Sequence, residues 1–270
     1  MSEPKPTFNR VTVAGLLDET LSHYRQQLGR FFLIAAIAQL PLAVVSTILL
    51  PGLFLEDIDQ STILSTLEGG GTMARVILSV LIGGVVGLLS NAALVLAAGD
   101  SYLGMRPNFG NSYAAAIMRL GRLVLMTLSM GAVLILLAIT IIGIPFAIYF
   151  GVRWLFATQT IVLENAGAWE GLARSHRLVR GNWWRCLGIA ILVFLVVIGA
   201  TIVFHLPFGL ITWVLNATMP WIKETSMSMI SSLFSAVVAS IIAPAGAIAF
   251  TLLYADLRAR EVAIGTPPRD

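Results

Sequence analysis

Six runs of nearly continuous apolar residues dominate this chain, at roughly 31–51, 73–98, 122–143, 145–163, 186–205 and 227–255. A hydrocarbon core of about 30 Å takes ~20 helical residues to cross, and each run comes close to that length or exceeds it. Lipid offers the backbone no hydrogen-bond partner, so such runs must fold as helices that satisfy their own amides. With 57% apolar residues and only 11% charged ones among 270, the sequence has too little charge to clothe a soluble surface. These figures exclude a soluble enzyme, a nucleic-acid-binding module and a disordered scaffold. They predict an all-α polytopic membrane protein with about six transmembrane helices in three hairpins, forming one integral membrane domain over 1–270.

The third and fourth runs are separated only by Gly143-Ile144-Pro145. A tight hairpin is expected there in preference to one kinked helix, because ~40 continuous residues would be twice as long as the bilayer is thick. In a six-span arrangement Lys5, Arg10, Arg25, Arg30, Arg106, Arg119, Arg122, Arg174, Arg177, Arg180, Arg185, Arg258, Arg260 and Arg269 fall on one side. The other side holds Arg75 and Lys223 with the acids Glu56, Asp57, Asp59, Glu68 and Glu224, and Arg153 lies inside a span. The positive-inside bias then places both termini in the cytoplasm of a bacterial inner membrane, and an odd number of spans would scramble the partition. From Met1 to Gln27 no short apolar core precedes a small-residue cleavage site, so the first span is expected to direct insertion itself. Cys186 is the single cysteine, which excludes an intramolecular disulfide and a CxxC pair.

The segments before spans one, three and five look alike, which suggests tandem units over 11–98, 108–163 and 168–258. Each begins with an amphipathic stretch: Leu17, Leu21, Tyr24 and Leu28; Tyr113, Ile117 and Leu120; Trp169, Leu172, Val179 and Trp183. Each then enters the bilayer through a similar junction, Gly29-Arg30-Phe31-Phe32, Gly121-Arg122-Leu123-Val124 and Gly181-Asn182-Trp183-Trp184. A cytoplasmic helix lying among headgroups is expected at each, with glycine allowing the bend, arginine at the phosphate level and an aromatic ring at the interface. Two further segments lie on the opposite side. Residues 52–72, ending in Gly69-Gly70-Gly71, are expected to form a solvated loop, and 206–226, with Pro207, Trp213, Pro220 and Trp221, a re-entrant or interfacial connector.

Four motifs carry a resemblance to a known group. Tyr102-Leu103-Gly104-Met105-Arg106-Pro107, Gly151-Val152-Arg153-Trp154, the run from Arg177 to Arg185, and Leu253-Tyr254-Ala255-Asp256-Leu257-Arg258 are similar to the membrane domain of some bacterial glycerophosphoryl diester phosphodiesterases and its stand-alone relatives. In that family the phosphodiester chemistry belongs to a separate soluble barrel domain. Only about ten residues follow Arg260, so the resemblance implies the membrane-domain fold without the hydrolase.

Arg153 is the sharpest site candidate, because a charge inside a span is costly and by default marks function. Its neighbours Gly151 and Trp154 suit close packing and a cation–π contact, and Asn91, Glu164 and Asp256 are its candidate partners. A structural arginine locking the bundle competes with a ligand for a lipid phosphate. Arg30, Arg122, Arg177 and Arg180 are further candidates for anionic lipid headgroups. Asp100, Glu164, Asp256 and Arg258 sit where hairpins return beside the basic junctions, which predicts structural ion pairs. Gly83 with Gly87, and Ala236 with Ser240, mark close helix approach. His23, His176 and His205 are scattered, and no HExxH, GxSxG, P-loop or GxGxxG occurs, so neither a metal, a cofactor nor a catalytic constellation is expected. Three functions follow. The first is a non-catalytic membrane protein that engages anionic inner-leaflet lipids in a regulatory or scaffolding role, without nucleic-acid partners. The second is a transporter with a polar pathway near Arg153, and the third is the membrane subunit of an enzyme supplied by another chain.

Overall fold

The structure, a computed structural model, describes residues 20–49 apart from 21, 23 and 26, then 70–218 and 224–263. Among these residues every regular element is helical: α1 (Leu28–Leu49), α2 (Gly70–Tyr102), α3 (Phe109–Met118), α4 (Leu120–Ala138), α5 (Gly143–Arg153), α6 (Ala157–Leu163), α7 (Ala168–Val179), α8 (Trp183–Thr218) and α9 (Glu224–Ala263). Six stretches of the described residues are long and apolar enough to cross a membrane: Leu28–Ile48, Met73–Tyr102, Leu120–Ala138, Gly143–Leu163, Trp183–Leu215 and Ser226–Glu261. The architecture is consistent with a multi-pass membrane protein.

Helix α9 is the hub. Within its most apolar stretch 61% of residues are buried inside the bundle, against 11% for α4 and for α8, which therefore form the rim. Its buried Ala236, Ser240 and Ala247 accompany its most extensive packing, against α1, where Ala35, Ala36, Ala38 and Ala43 are buried. Small side chains let backbones approach closely, the main source of helix association where lipid is as apolar as the side chains themselves. Two buried clusters meet along α9, one with Phe31, Val95, Leu123, Ile161 and Ile248, the other with Phe156, Val179, Ile189 and Leu253. The rim helices instead expose Ile135, Leu136, Phe194, Val203 and Leu210, an apolar surface suited to lipid.

Side-chain contacts gather the helix ends. Gln27 Nε2 donates to Ser101 Oγ (3.3 Å), Arg122 Nη1 reaches Asn165, Arg174 bridges Glu164 and Glu261, and Arg185 pairs with Asp256. The starts of α1, α4 and α8 therefore meet the ends of α2, α6 and α9, and their arginines collect at one end of the bundle. Arg75 stands near the opposite end of α2.

Several expectations need correction. Gly83 and Gly87 have nothing within 4 Å of where a Cβ would stand. The helices facing Gly83 carry serine and alanine, which leaves a cavity of about 650 Å³ between α1, α2 and α9. Residues 206–218 are not a connector, because α8 runs through Pro207 to Thr218. Proline is tolerated inside apolar helices, so it was a poor stop signal here. Gly70 and Gly71 belong to the first turn of α2, while 52–69 and 219–223, like Leu17 and Leu21, lie outside the described residues. Glycine makes the bend at one junction only. Gly181 takes φ +85° between α7 and α8, whereas Gly29 and Gly121 lie inside α1 and α4. The α3–α4 bend falls at Arg119 (φ −101°, ψ 0°), a conformation open to any residue.

The α4–α5 turn spans 139–142, and the two helices pack on each other, so this segment is not one kinked helix. Thr140 Oγ1 donates to Leu137 O and accepts from Gly143 N, both inside the turn. A Cβ at Gly143 would stand 1.9 Å from Leu137 O, a backbone atom that cannot swing aside. Gly143→Ala is expected to lower stability in detergent by about 1–3 kcal/mol, the usual cost of overpacking. Gly131→Ala, where a methyl meets nothing within 4 Å, should be neutral or stabilising; equal melting temperatures for the two variants would refute this account of the turn.

Candidate functional site

The fourth span is broken, and the break organises its surroundings. Helix α5 ends at Arg153 and α6 begins at Ala157, leaving Trp154-Leu155-Phe156 as a tight turn. A break inside a span strands backbone groups in a medium that cannot satisfy them. Ser175, fully buried on α7, fills it: its hydroxyl donates to Arg153 O (2.8 Å) and accepts from Phe156 N (3.1 Å). One turn earlier Gly171 makes room for the α6 side chains of Ile161 and Thr160, since a Cβ there would stand 2.8 Å from Ile161 Cγ1 and 3.0 Å from Thr160 Oγ1. Gly171 O also accepts from Thr160 Oγ1 at 3.1 Å. Gly171 and Ser175, four residues apart on one face of α7, thus form the seat of the broken span.

Arg153 is partly buried at this break, but its partners are not the expected ones. Its guanidinium hydrogen-bonds a ring nitrogen of His176 and lies 4.5 Å from the centroid of Tyr149. Trp154 stacks instead near Phe150, with centroids 5.2 Å apart. Asn91 is exposed on α2, and neither Glu164 nor Asp256 pairs with Arg153. Periodicity along one helix could not show that α7 would bring His176 alongside.

Glu164, just past α6, is the centre of an ionic knot. Arg174 Nε donates to its Oε2 at 3.0 Å, Arg258 Nε lies 3.6 Å from its Oε1, and Tyr254 donates its hydroxyl to Oε1. Arg174 also grips Glu261, with Nη1 and Nη2 each 2.8 Å from a carboxylate oxygen. Burial pushes the Glu164 carboxyl up, but the hydrogen bonds from Tyr254 and Arg174 and the charges of Arg174 and Arg258 outweigh it and hold it below the ordinary value. The hydrogen bond to Glu261, opposed by burial and aided by Glu164, raises Arg174. Asp256 pairs with Arg185 and with Arg260, each at 3.0 Å. Glu164, Asp256 and Arg258, three of the four residues named for ion pairing, hold such contacts. Asp100 departs from that expectation: among the described residues no cation lies within ion-pair distance of it.

The expected headgroup arginines divide. Arg122 Nη1 is committed to Asn165, at 3.0 Å to its backbone oxygen and 2.9 Å to Oδ1, and Asn165 takes a left-handed φ of 58°. Arg177 and Arg180 are exposed on and just after α7. Arg30 joins two residues that were not singled out, Arg25 and Arg106. All three line a cavity of about 560 Å³, and Arg30 and Arg106 also line an adjoining one of about 310 Å³ beside Asn108 and Phe109. Among the described residues none of the three has an acidic partner. The one local sequence signal is that no Asp or Glu occurs between Glu19 and Glu56, the stretch that holds Arg25 and Arg30, whereas Arg106 stands six residues after Asp100.

Tyrosines ahead of the first and third spans tie those segments to the bundle. Tyr113 on α3 donates to Ile34 O and Tyr24 to Ile241 O, each at 2.7 Å. On α7 the expected apolar residues Leu172 and Val179 are buried, while Trp169 is 65% exposed.

Together these features define a helical bundle with a membrane-spanning pattern, a latched break and an arginine-rich end. Residues 34–257 match the model of a family described as a domain of unknown function, DUF7847, and the chain belongs to that family. No curated protein and no solved structure matches the chain.

The Arg153–His176 contact makes stability pH-dependent. Burial, then the charges of Arg153 and Arg180, pushes the His176 ring below its ordinary value, so the folded state prefers the neutral ring that can accept from Arg153. The unfolded chain binds that proton more readily, at a pKa near 6.5, so the contribution is complete above that pH and is lost as pH falls through the folded value. The melting temperature in detergent should fall between pH 7.5 and 5.5, and His176→Gln should flatten that segment. Glu164, held below the ordinary carboxylate range, titrates lower. An unchanged slope in the variant would exclude His176 as the source.

Proposed function

We propose that this is a non-catalytic multi-pass protein of the bacterial inner membrane that holds anionic inner-leaflet headgroups at its arginine-rich end, in a lipid-organising or regulatory role. The observation that carries this reading is the trio Arg25, Arg30 and Arg106, which lines adjoining cavities without an acidic partner among the described residues. Elsewhere at that end Arg174, Arg185 and Arg260 are neutralised by Glu164, Glu261 and Asp256. An uncompensated guanidinium at the headgroup level attracts lipid phosphate, and three on one cavity favour the same anion. Exposed Arg177, Arg180, Trp169 and Trp184 suit the same interface.

The reading includes three hairpins, each preceded by a cytoplasmic interfacial helix, as tandem units. It also includes kinship with the phosphodiesterase membrane domain, in which the hydrolytic chemistry lies elsewhere. The transport alternative gains one observation, the broken fourth span, since broken helices commonly mark substrate sites. Here the break is occupied by Ser175 and its arginine by His176 and Tyr149, which favours a latch over a pathway.

The triple variant Arg25→Gln, Arg30→Gln, Arg106→Gln should lose roughly 100-fold in affinity for spin-labelled phosphatidylglycerol in nanodiscs, about tenfold or less per charge, with phosphatidylcholine unaffected. Raising the salt should weaken the wild type in the same direction. Retained preference for the anionic lipid in the variant would end the proposal.

Orientation is tested separately in a Cys186→Ala background. Gly110→Cys and Ala173→Cys, both exposed positions, should react with an impermeant maleimide only after the cells are permeabilised. Thr140→Cys, exposed in the α4–α5 turn, should react in intact cells. Labelling of Gly110→Cys and Ala173→Cys from opposite faces would break the six-span topology.

A further inference from the structure

A third cavity at the arginine-rich end has a different chemistry. About 530 Å³ in volume, it lies between the last turns of α2 and α9, walled by Leu96, Leu103 and Leu163 and edged by Asp100 and Arg258. The two opposite charges line the same space but do not pair with each other. Asp100 has no cation within ion-pair distance among the described residues, and Arg258, half exposed, pairs with Glu164 through Nε at 3.6 Å, a longer contact than the 3.0 Å of Arg174 on the same carboxylate. Both charges therefore face one cavity without neutralising each other.

A second observation concerns Thr251, which lines the same cavity. Thr251 is only 3% exposed, and its hydroxyl has no hydrogen-bond partner. A buried hydroxyl left unsatisfied is costly, and its neighbours on α9 show the contrast: Ser240 bonds back to Ala236 O, and Tyr254 bonds to Glu164. An occupant with an acceptor at that depth would satisfy it.

We propose that this cavity binds a zwitterionic phospholipid with a primary ammonium headgroup, of the phosphatidylethanolamine type. Asp100 takes the ammonium, Arg258 the phosphodiester, and Thr251 donates to an ester carbonyl, while the leucine wall holds the first part of the acyl chains. Both charges stand within a turn or so of their helix ends, the level at which headgroups lie. The cavity volume falls in the range of small-molecule sites, enough for a headgroup and the adjoining chain segments. The site is distinct from the all-basic cavities of Arg25, Arg30 and Arg106, which select net negative charge and present no carboxylate.

The test is native mass spectrometry of the full-length protein in detergent, titrated with phosphatidylethanolamine, phosphatidylcholine and phosphatidylglycerol of identical chains. The wild type should retain phosphatidylethanolamine about tenfold better than phosphatidylcholine, whose quaternary ammonium cannot donate a hydrogen bond to Asp100. Asp100→Asn should abolish that preference and leave phosphatidylglycerol binding at the arginine trio unchanged, while Asp100→Glu should keep it. Thr251→Val should weaken retention several-fold without lowering the melting temperature of the lipid-free protein, which separates ligand contact from a role in packing. A wild type indifferent to the headgroup, or an Asp100→Asn variant that still prefers phosphatidylethanolamine, would overturn the proposal. Soluble phosphoethanolamine that competes as well as the lipid would equally overturn it, by showing that the apolar wall contributes nothing. Because the arginine-trio variant reads phosphatidylglycerol and the Asp100 variant reads phosphatidylethanolamine, failure of one leaves the other standing.

Discussion

In lipid every backbone amide must find a partner inside the protein, and that constraint decides where this chain can bend. Within long helices the demand meets itself. At each interruption a specific group has to answer it: Ser175 at the break in span four, Thr140 at the α4–α5 turn, Asn108 accepting from Gly110 N and Asn111 N at the start of α3. Ser175 has the largest consequence, because it is supplied by another helix. Docking α7 is therefore a condition for breaking span four where it breaks, and the short helix belongs to the fold as much as the spans do.

Charge is managed by the same economy of position. At one end of the bundle carboxylates and guanidiniums are shared in a knot around Glu164, Glu261 and Asp256 that joins α6, α7, α8 and α9. Shared charges stay bound to one another and offer little to a ligand. Unpaired charge is left where the sharing stops, at Arg25, Arg30 and Arg106, and at Asp100, which lines the cavity between α2 and α9 with Arg258. The composition of each cavity follows from which acids the knot has already consumed.

The spans were legible because a run of apolar residues is a local property, and lipid removes most competing solutions. The sorting of arginines was legible for the same reason, since even alternation needs no knowledge of packing. What escaped was whatever depended on a second segment. Trp154-Leu155-Phe156 carries no glycine or proline, so nothing in it announces a break; the cause is Ser175, some twenty residues on. Arg153 stood out as a buried charge, yet His176 looked like one of three scattered histidines until α7 folded back. Asp100 looked like another paired acid because it closes a span beside the basic junctions, but at the end of α2 no cation among the described residues comes within ion-pair distance. Pro207 misled in the opposite sense, since a helix rule learned in water was applied where apolar surroundings let α8 continue.

The position of α9 explains why such separated cavities can coexist. It touches α1, α2, α7 and α8, and its small residues toward the middle allow close packing while its last turns carry Asp256, Arg258, Arg260 and Glu261. Close packing at the middle fixes the direction in which the end projects. Once that direction is fixed, Asp256 and Glu261 are delivered to Arg185 and Arg174, and Arg258, one turn before Glu261, is delivered to the rim of the gap beside α2, within 3.6 Å of Glu164. A change in the buried segment at Ser240, Ala247 and Ile248 would shift both together, which ties packing in the apolar middle to the placement of charge at the polar end.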